Sequence, residues 1–149
     1  MNNHGTFADW RVHHVALRVP DYAAAIEWYT TRLGMHVVAE WPFGDLQLAF
    51  LALPGNDAFC LELFGGGAVP PVEVRPWTDI VDSLKYRGFH HVCFHVDDVE
   101  ATVQQLRALG VAITLEPTVV EAIACRIAFF TDPWGNFVEL AQRLPGGAS

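Results

Sequence analysis

Between residues 12 and 19 apolar Val15, Leu17 and Val19 alternate with His14, Ala16 and Arg18. A period of two marks a strand with one buried face. From residue 21 the period lengthens. Ile26, Tyr29 and Leu33 recur at helical spacing, Asp21 stands where an N-cap belongs, and Gly34 stands where a helix stops. Strand-like runs follow near 35–41, 46–53 and 58–64. The same succession then begins again. A strand near 90–96 leads into a helix near 98–109, with Val99, Val103 and Leu106 on one face and Gly110 at its end. Strands near 111–116, 123–131 and 136–141 complete it, and "DPWGN" supplies the turn before the last. The pattern predicts βαβββ, twice.

The letters repeat as well as the pattern. "VHHVALRVPD" at 12–21 is echoed by "FHHVCFHVDD" at 89–98, and "CLELF" at 60–64 by "FVELA" at 137–141. Both echoes fall at an offset of 77 residues, so His14 stands to Glu62 as His91 stands to Glu139. One offset shared by two separate motifs implies a duplicated module. Between the copies lies "GGGAVPPVEVRPWTDIVDSLKYRG", long and rich in Gly and Pro, the kind of segment that often forms a binding loop. Pro70 and Pro71 follow its glycines where a helix would have to open, which excludes a phosphate loop.

The two-residue period also sorts chemistry by face. Val15, Leu17 and Val19, Leu61 and Leu63, Val92, Phe94 and Val96, and Val138 and Leu140 are assigned to the faces packed on the helices. His14, Glu62, His91 and Glu139 therefore leave the opposite faces, the side a curved sheet would wrap around. A carboxylate inside an apolar strand costs several kcal/mol unless it is paired or ligated. One such Glu could pair with an arginine, as Glu62 with Arg18. Two carboxylates and two imidazoles at duplicate spacing point instead to a divalent cation, whose charge they balance. His13 and His90 fall on the other face by parity and read as structural. His95 and Arg18 occupy equivalent positions beside the expected metal.

Composition narrows the function. Hydrophobic residues make up 52% of the 149 and charged residues 17%, enough for a core and against disorder. A net charge of −8 without a basic cluster excludes a nucleic-acid surface. No apolar run approaches a membrane span and the N-terminus lacks a signal-peptide pattern, so a cytoplasmic protein is expected. Cys60, Cys93 and Cys125 are widely spaced in apolar runs and read as buried small hydrophobes.

Taken in order, "HHVALRVPDYAAAIEWYTTRLGM", "CLELF", "GFHHVCFHVDDVEATVQQLRALGV" and "RIAFFTDPWGNFVEL" resemble the vicinal oxygen chelate superfamily over roughly residues 10–143. That superfamily includes glyoxalase I, methylmalonyl-CoA epimerase, extradiol dioxygenases, fosfomycin-inactivating transferases and bleomycin-resistance proteins. The resemblance implies an α+β fold, two tandem βαβββ modules forming a curved half-barrel sheet around a metal cleft. It implies one domain over 1–149, with module one at about 10–64, a linker at 65–88, module two at about 89–143 and a short tail. It also implies a homodimer and one divalent metal ion per site (Ni, Co, Zn, Mn or Fe) held by His14, Glu62, His91 and Glu139.

A His/Glu/His/Glu set resembles glyoxalase I and the epimerases, and Arg18 matches a glutathione-contacting arginine of glyoxalase I. The chain departs from glyoxalase I at "ELFGGG", where an asparagine would grip glutathione, and at "EPTVVEAIAC", where a basic loop is absent. The implied activity is that of a lyase or isomerase/epimerase, acting on a small α-hydroxycarbonyl or acyl substrate through a metal-stabilised enediolate. Glu139 or Glu62 would serve as base and His95 as relay. Arg18 and Arg126 would grip an anionic group, and Phe64 and Phe137 would line the substrate pocket. Two alternatives stay open: an Fe(II) ring-cleaving dioxygenase using His14, His91 and Glu139, and a ligand-binding resistance protein without turnover.

Overall fold

The computed structural model describes residues 10–68 and 79–145. The chain divides into two compact units, 1–69 and 70–149. Each carries a four-stranded mixed sheet with a helix packed on one face.

In the first unit β1 (His14–Arg18) is followed by α1 (Tyr22–Leu33), then β2 (His36–Phe43), β3 (Leu46–Leu53) and β4 (Asn56–Gly66). The sheet order is β1-β4-β3-β2. Only the β1–β4 pair is parallel. In the second unit α2 (Ile80–Ser83) precedes β5 (His91–His95), α3 (Val99–Ala108), β6 (Ala112–Val120), β7 (Cys125–Thr131) and β8 (Phe137–Arg143). Its order, β5-β8-β7-β6, repeats the first, again with one parallel pair, β5–β8. Tandem βαβββ modules are therefore the observed fold.

The repeat extends to single hydrogen bonds. Asp21 caps α1 by accepting from the Ala24 N–H, and Asp98 caps α3 by accepting from the Ala101 N–H. Each such cap is worth about 1 kcal/mol. Gly34 ends α1 in the left-handed region at φ 64°. Tyr29 is fully buried beneath α1, and Val99, Val103 and Leu106 are buried beneath α3. Opposite them the strands bury Leu17, Leu61 and Leu63 in one module and Val138 and Leu140 in the other. The faces fall as the alternation predicts. In the turn before β8, the buried Asp132 accepts from the Trp134 and Asn136 backbone N–H groups and from the Asn136 amide.

Some boundaries differ from the sequence pattern. β6 runs on through Pro117 to Val120, past register shifts at Ile113/Leu115 and Leu115/Thr118. A turn of 3-10 helix at Glu121–Ile123 then intervenes, so β7 begins at Cys125. The Gly/Pro-rich connection contains α2, a helix that its apolar pattern did not announce, while residues 69–78 lie outside the described residues.

The joint between helix and sheet is made differently in the two copies. At Gly65 an added Cβ would stand 2.4 Å from the Cβ and 2.6 Å from the Cα of Tyr22, the first residue of α1. At the equivalent place in module two, the Gln142 side chain accepts from the N–H of Val99, the first residue of α3, at 3.1 Å.

Because the Gly65 contact is with backbone as well as side chain, Gly65→Ala forces the helix entry outward. A loss of about 1–3 kcal/mol is expected, seen as a lower urea midpoint at unchanged slope. An unchanged midpoint would mean that the entry moves freely.

Candidate metal-binding half-sites

The predicted ligands come together in pairs. His14 Nε2 lies 3.2 Å from Glu62 Oε2, and His91 Nε2 lies 2.9 Å from Glu139 Oε2. Strand register produces both. His14 is opposite Cys60 and Ala16 opposite Glu62 in the β1–β4 ladder; His91 is opposite Phe137 and Cys93 opposite Glu139 in β5–β8. Each histidine thus leans diagonally across a parallel pair to reach its glutamate, a reach that long side chains manage. The small residues Ala16 and Cys93 leave it room.

An aromatic ring closes each pair from the next strand. Phe50 lies opposite Glu62 and packs on His14 at 5.3 Å between centroids. Phe129 lies opposite Glu139 and meets His91 edge-on at 5.1 Å. Glu62 is 7% exposed and is flanked by fully buried Leu61 and Leu63. Among the described residues no group of three or more metal-capable side chains forms. Each module brings together one imidazole nitrogen and one carboxylate oxygen, a donor chemistry that suits a divalent first-row cation.

His13 and His90 do more than parity anticipated. The strands begin one residue later, so neither ring is bound by the alternation. His13 Nδ1 is 2.7 Å from His14 Nδ1, and His90 Nδ1 is 2.9 Å from His91 Nδ1. The only signal in the sequence was the doubled "HH". Cys93, read as a buried hydrophobe, is exposed. Its thiol is pushed up to about 12, first by burial of the sulfur and then by the charge and hydrogen bonding of Glu139.

The remaining predicted residues are distributed as follows. Arg18 shares a face with His14, and its guanidinium donates to the carbonyls of Val19 at 2.6 Å and Phe64 at 2.9 Å and to that of Gly66. It does not pair with Glu62. Phe64 is half-buried on the Glu62 face of β4. Phe137 is buried and stacked on the His90 ring at 5.4 Å, so it supports a histidine. His95 is exposed, four residues along β5 from His91, or ~13 Å at strand rise. Arg126 is an odd number of steps from Phe129 on β7, which puts it on the helix side, where its Nη1 lies 3.5 Å from Glu100 of α3. It does not share a face with Glu139.

Two half-sites of this kind on tandem βαβββ modules define a class. The chain belongs to the glyoxalase/bleomycin resistance protein/dioxygenase superfamily, whose model it matches over residues 11–140. It is 33% identical over 144 residues to a probable lactoylglutathione lyase of Vibrio cholerae, covering 95% of this chain and 93% of that one. It is 30% identical to a 2-epi-5-epi-valiolone epimerase of an Actinomyces species, covering 92% and 81%. Among solved structures it is similar to glyoxalase I from Zea mays, with a TM-score of 0.71 and 30% identity over 90% of this chain and 45% of that one.

With its thiol pKa near 12, roughly one Cys93 in a thousand is ionised at pH 9. Alkylation of Cys93 in metal-free protein is therefore expected to be slow despite its exposure. Glu139→Gln removes an anion that opposes the thiolate, so the rate should rise several-fold at the same pH. Peptide mapping after timed iodoacetamide treatment reads it; equal rates would separate the thiol from Glu139.

Proposed function

We propose that this chain is a divalent-metal-dependent lyase or isomerase/epimerase of the glyoxalase type, acting on a small α-hydroxycarbonyl or acyl substrate. The observation that carries the reading is the His–Glu pair made twice by the same register, His14 with Glu62 and His91 with Glu139. In this reading the four side chains hold one Ni, Co, Zn, Mn or Fe ion, two imidazoles for softness and two carboxylates for charge balance. When bound, the ion supplies Lewis acidity that lowers the cost of removing a proton beside a carbonyl.

The protein supplies the rest. Glu139 is the base, being the more open of the two carboxylates, its side chain 16% exposed against 10% for Glu62. Glu62 is the second candidate. Relay through His95 requires an intervening water or substrate group, given its distance along β5. Arg18 spends three hydrogen bonds on backbone carbonyls; its remaining N–H donors are what an anionic substrate group would meet. In each unit apolar rings, Phe50 and Phe64 in the first and Phe129 in the second, lie on the face of the glutamate and would limit water beside it. The reading includes a homodimer and a cytoplasmic location.

Elemental analysis of the purified protein, with solvent-deuterium exchange into a panel of α-hydroxycarbonyl and acyl-thioester compounds, tests it. One divalent ion per site and metal-dependent exchange are expected. Glu139→Gln should keep much of the metal and lose at least about 100-fold in exchange; undiminished exchange would exclude Glu139 as base. Iron with oxygen uptake on a catechol and a tolerated Glu62→Ala would replace the reading with a ring-cleaving dioxygenase. Tight ligand binding without metal or turnover would replace it with a binding protein.

A further inference from the structure

His90 and Ser83 lie outside the set of ligands and base, yet both are placed against it. Ser83 ends α2, is 2% exposed, and has its Oγ 2.6 Å from the carbonyl of Ile80. A carbonyl can only accept, so the single hydroxyl hydrogen of Ser83 is committed there. The same Oγ lies 2.8 Å from His90 Nε2. With its hydrogen spent, Ser83 can only accept from that nitrogen, so His90 carries N–H at Nε2. In a neutral ring this leaves His90 Nδ1 a bare acceptor. It faces His91 Nδ1 at 2.9 Å, so His91 donates from Nδ1. The nitrogen left to face Glu139 is His91 Nε2, which shares one hydrogen with the carboxylate at 2.9 Å until a cation takes that hydrogen's place. A serine hydroxyl thus determines, through two rings, which nitrogen of His91 is offered as a ligand.

We propose that Ser83 and His90 are positioning residues that fix the Nδ1–H tautomer of His91 and so present its Nε2 to the metal. Every hydrogen-bonded member, Ile80, Ser83, His90, His91 and Glu139, belongs to the second unit. Phe137, stacked on His90 with only 15° between ring planes, holds the relaying ring in orientation. Free histidine in water favours no such arrangement, and an unfixed ring would divide between tautomers. Partners of this kind that orient a ligating histidine commonly change metal affinity 10–100-fold. The offset of 77 residues places another hydroxyl residue, Thr6, at the matching position in module one, where it lies outside the described residues. The proposal rests on His91 being a ligand, as the proposed function has it.

Long-range nitrogen–hydrogen NMR correlations in 15N-labelled full-length protein, metal-free and zinc-loaded, read the tautomers. His90 with its hydrogen on Nε2 and His91 with hydrogen on Nδ1 are the expected result. Hydrogen on Nδ1 of His90 would overturn the proposal. Competition titration with zinc reads the consequence. Ser83→Ala should weaken zinc binding about tenfold, and His90→Leu up to about 100-fold. His90→Asn, whose amide oxygen stands near the Nδ1 position, should recover most of the loss. In the His90→Asn background Ser83→Ala should cost little more. Wild-type affinity in Ser83→Ala, or no recovery with His90→Asn in a folded protein, would refute the relay. If the wild-type protein takes up none of zinc, nickel, cobalt, manganese and iron, the metal reading fails, and the NMR spectra of the metal-free protein alone decide the relay.

Discussion

A carboxylate in the middle of a buried strand constrains this molecule more than any other feature. Glu62 stands between Leu61 and Leu63, both fully buried. Burial of each leucine contributes about 1.5–3 kcal/mol. An unpaired buried carboxylate costs several kcal/mol. Left alone, Glu62 would cancel the gain from both neighbours. The partner comes from β1 because the ladder is parallel and in register, which carries His14 to a diagonal position. β5 and β8 solve the same problem for Glu139 with His91. The small residue opposite each glutamate and the phenylalanine on the following strand complete the arrangement. The sheet's pairing pattern thus exists in a form that keeps two acidic groups supplied with partners.

Much of this could be read from the chain because a strand has an integral period. Alternation assigned His14, Glu62, His91 and Glu139 to the faces away from the helices, and the equal offset tied the pairs together. Where the backbone leaves its period, the reading loses its footing. His13 and His90 precede their strands, so the parity that called them structural did not govern their rings. Arg126 entered with the activity the resemblance implies; its parity relative to Phe129 would have assigned it to the helix side, but only once the register of β7 with β8 was known. Ser83 sat in a connection whose Gly and Pro content masked a four-residue helix. Its hydroxyl meets the ring of His90 seven positions away, and no sequence period describes that.

The half-sites also clarify what duplication contributes. One module offers two donors of a kind that many proteins possess. A repeat offers the same two donors again without any new invention in the sheet. Departures from symmetry therefore stand out. Arg18 is the counterpart of His95, and Ala16 the counterpart of Cys93. These are the positions beside the pairs, where Glu139 gains a thiol neighbour and Glu62 does not.

The helix–sheet joints carry this divergence into the scaffold. Gly65 and Tyr22 are matched by bare proximity, a missing side chain under a large one. Gln142 and Val99 are matched by a hydrogen bond to a helix-end N–H. Each solution works only with its own partner. A glutamine at position 65 would have no room beneath Tyr22, and a glycine at position 142 would leave the Val99 N–H without its acceptor. The two modules have therefore ceased to be interchangeable parts. Recombination between the copies would have to exchange strand and helix together, and a crossover falling between them would yield a mismatched joint in both products.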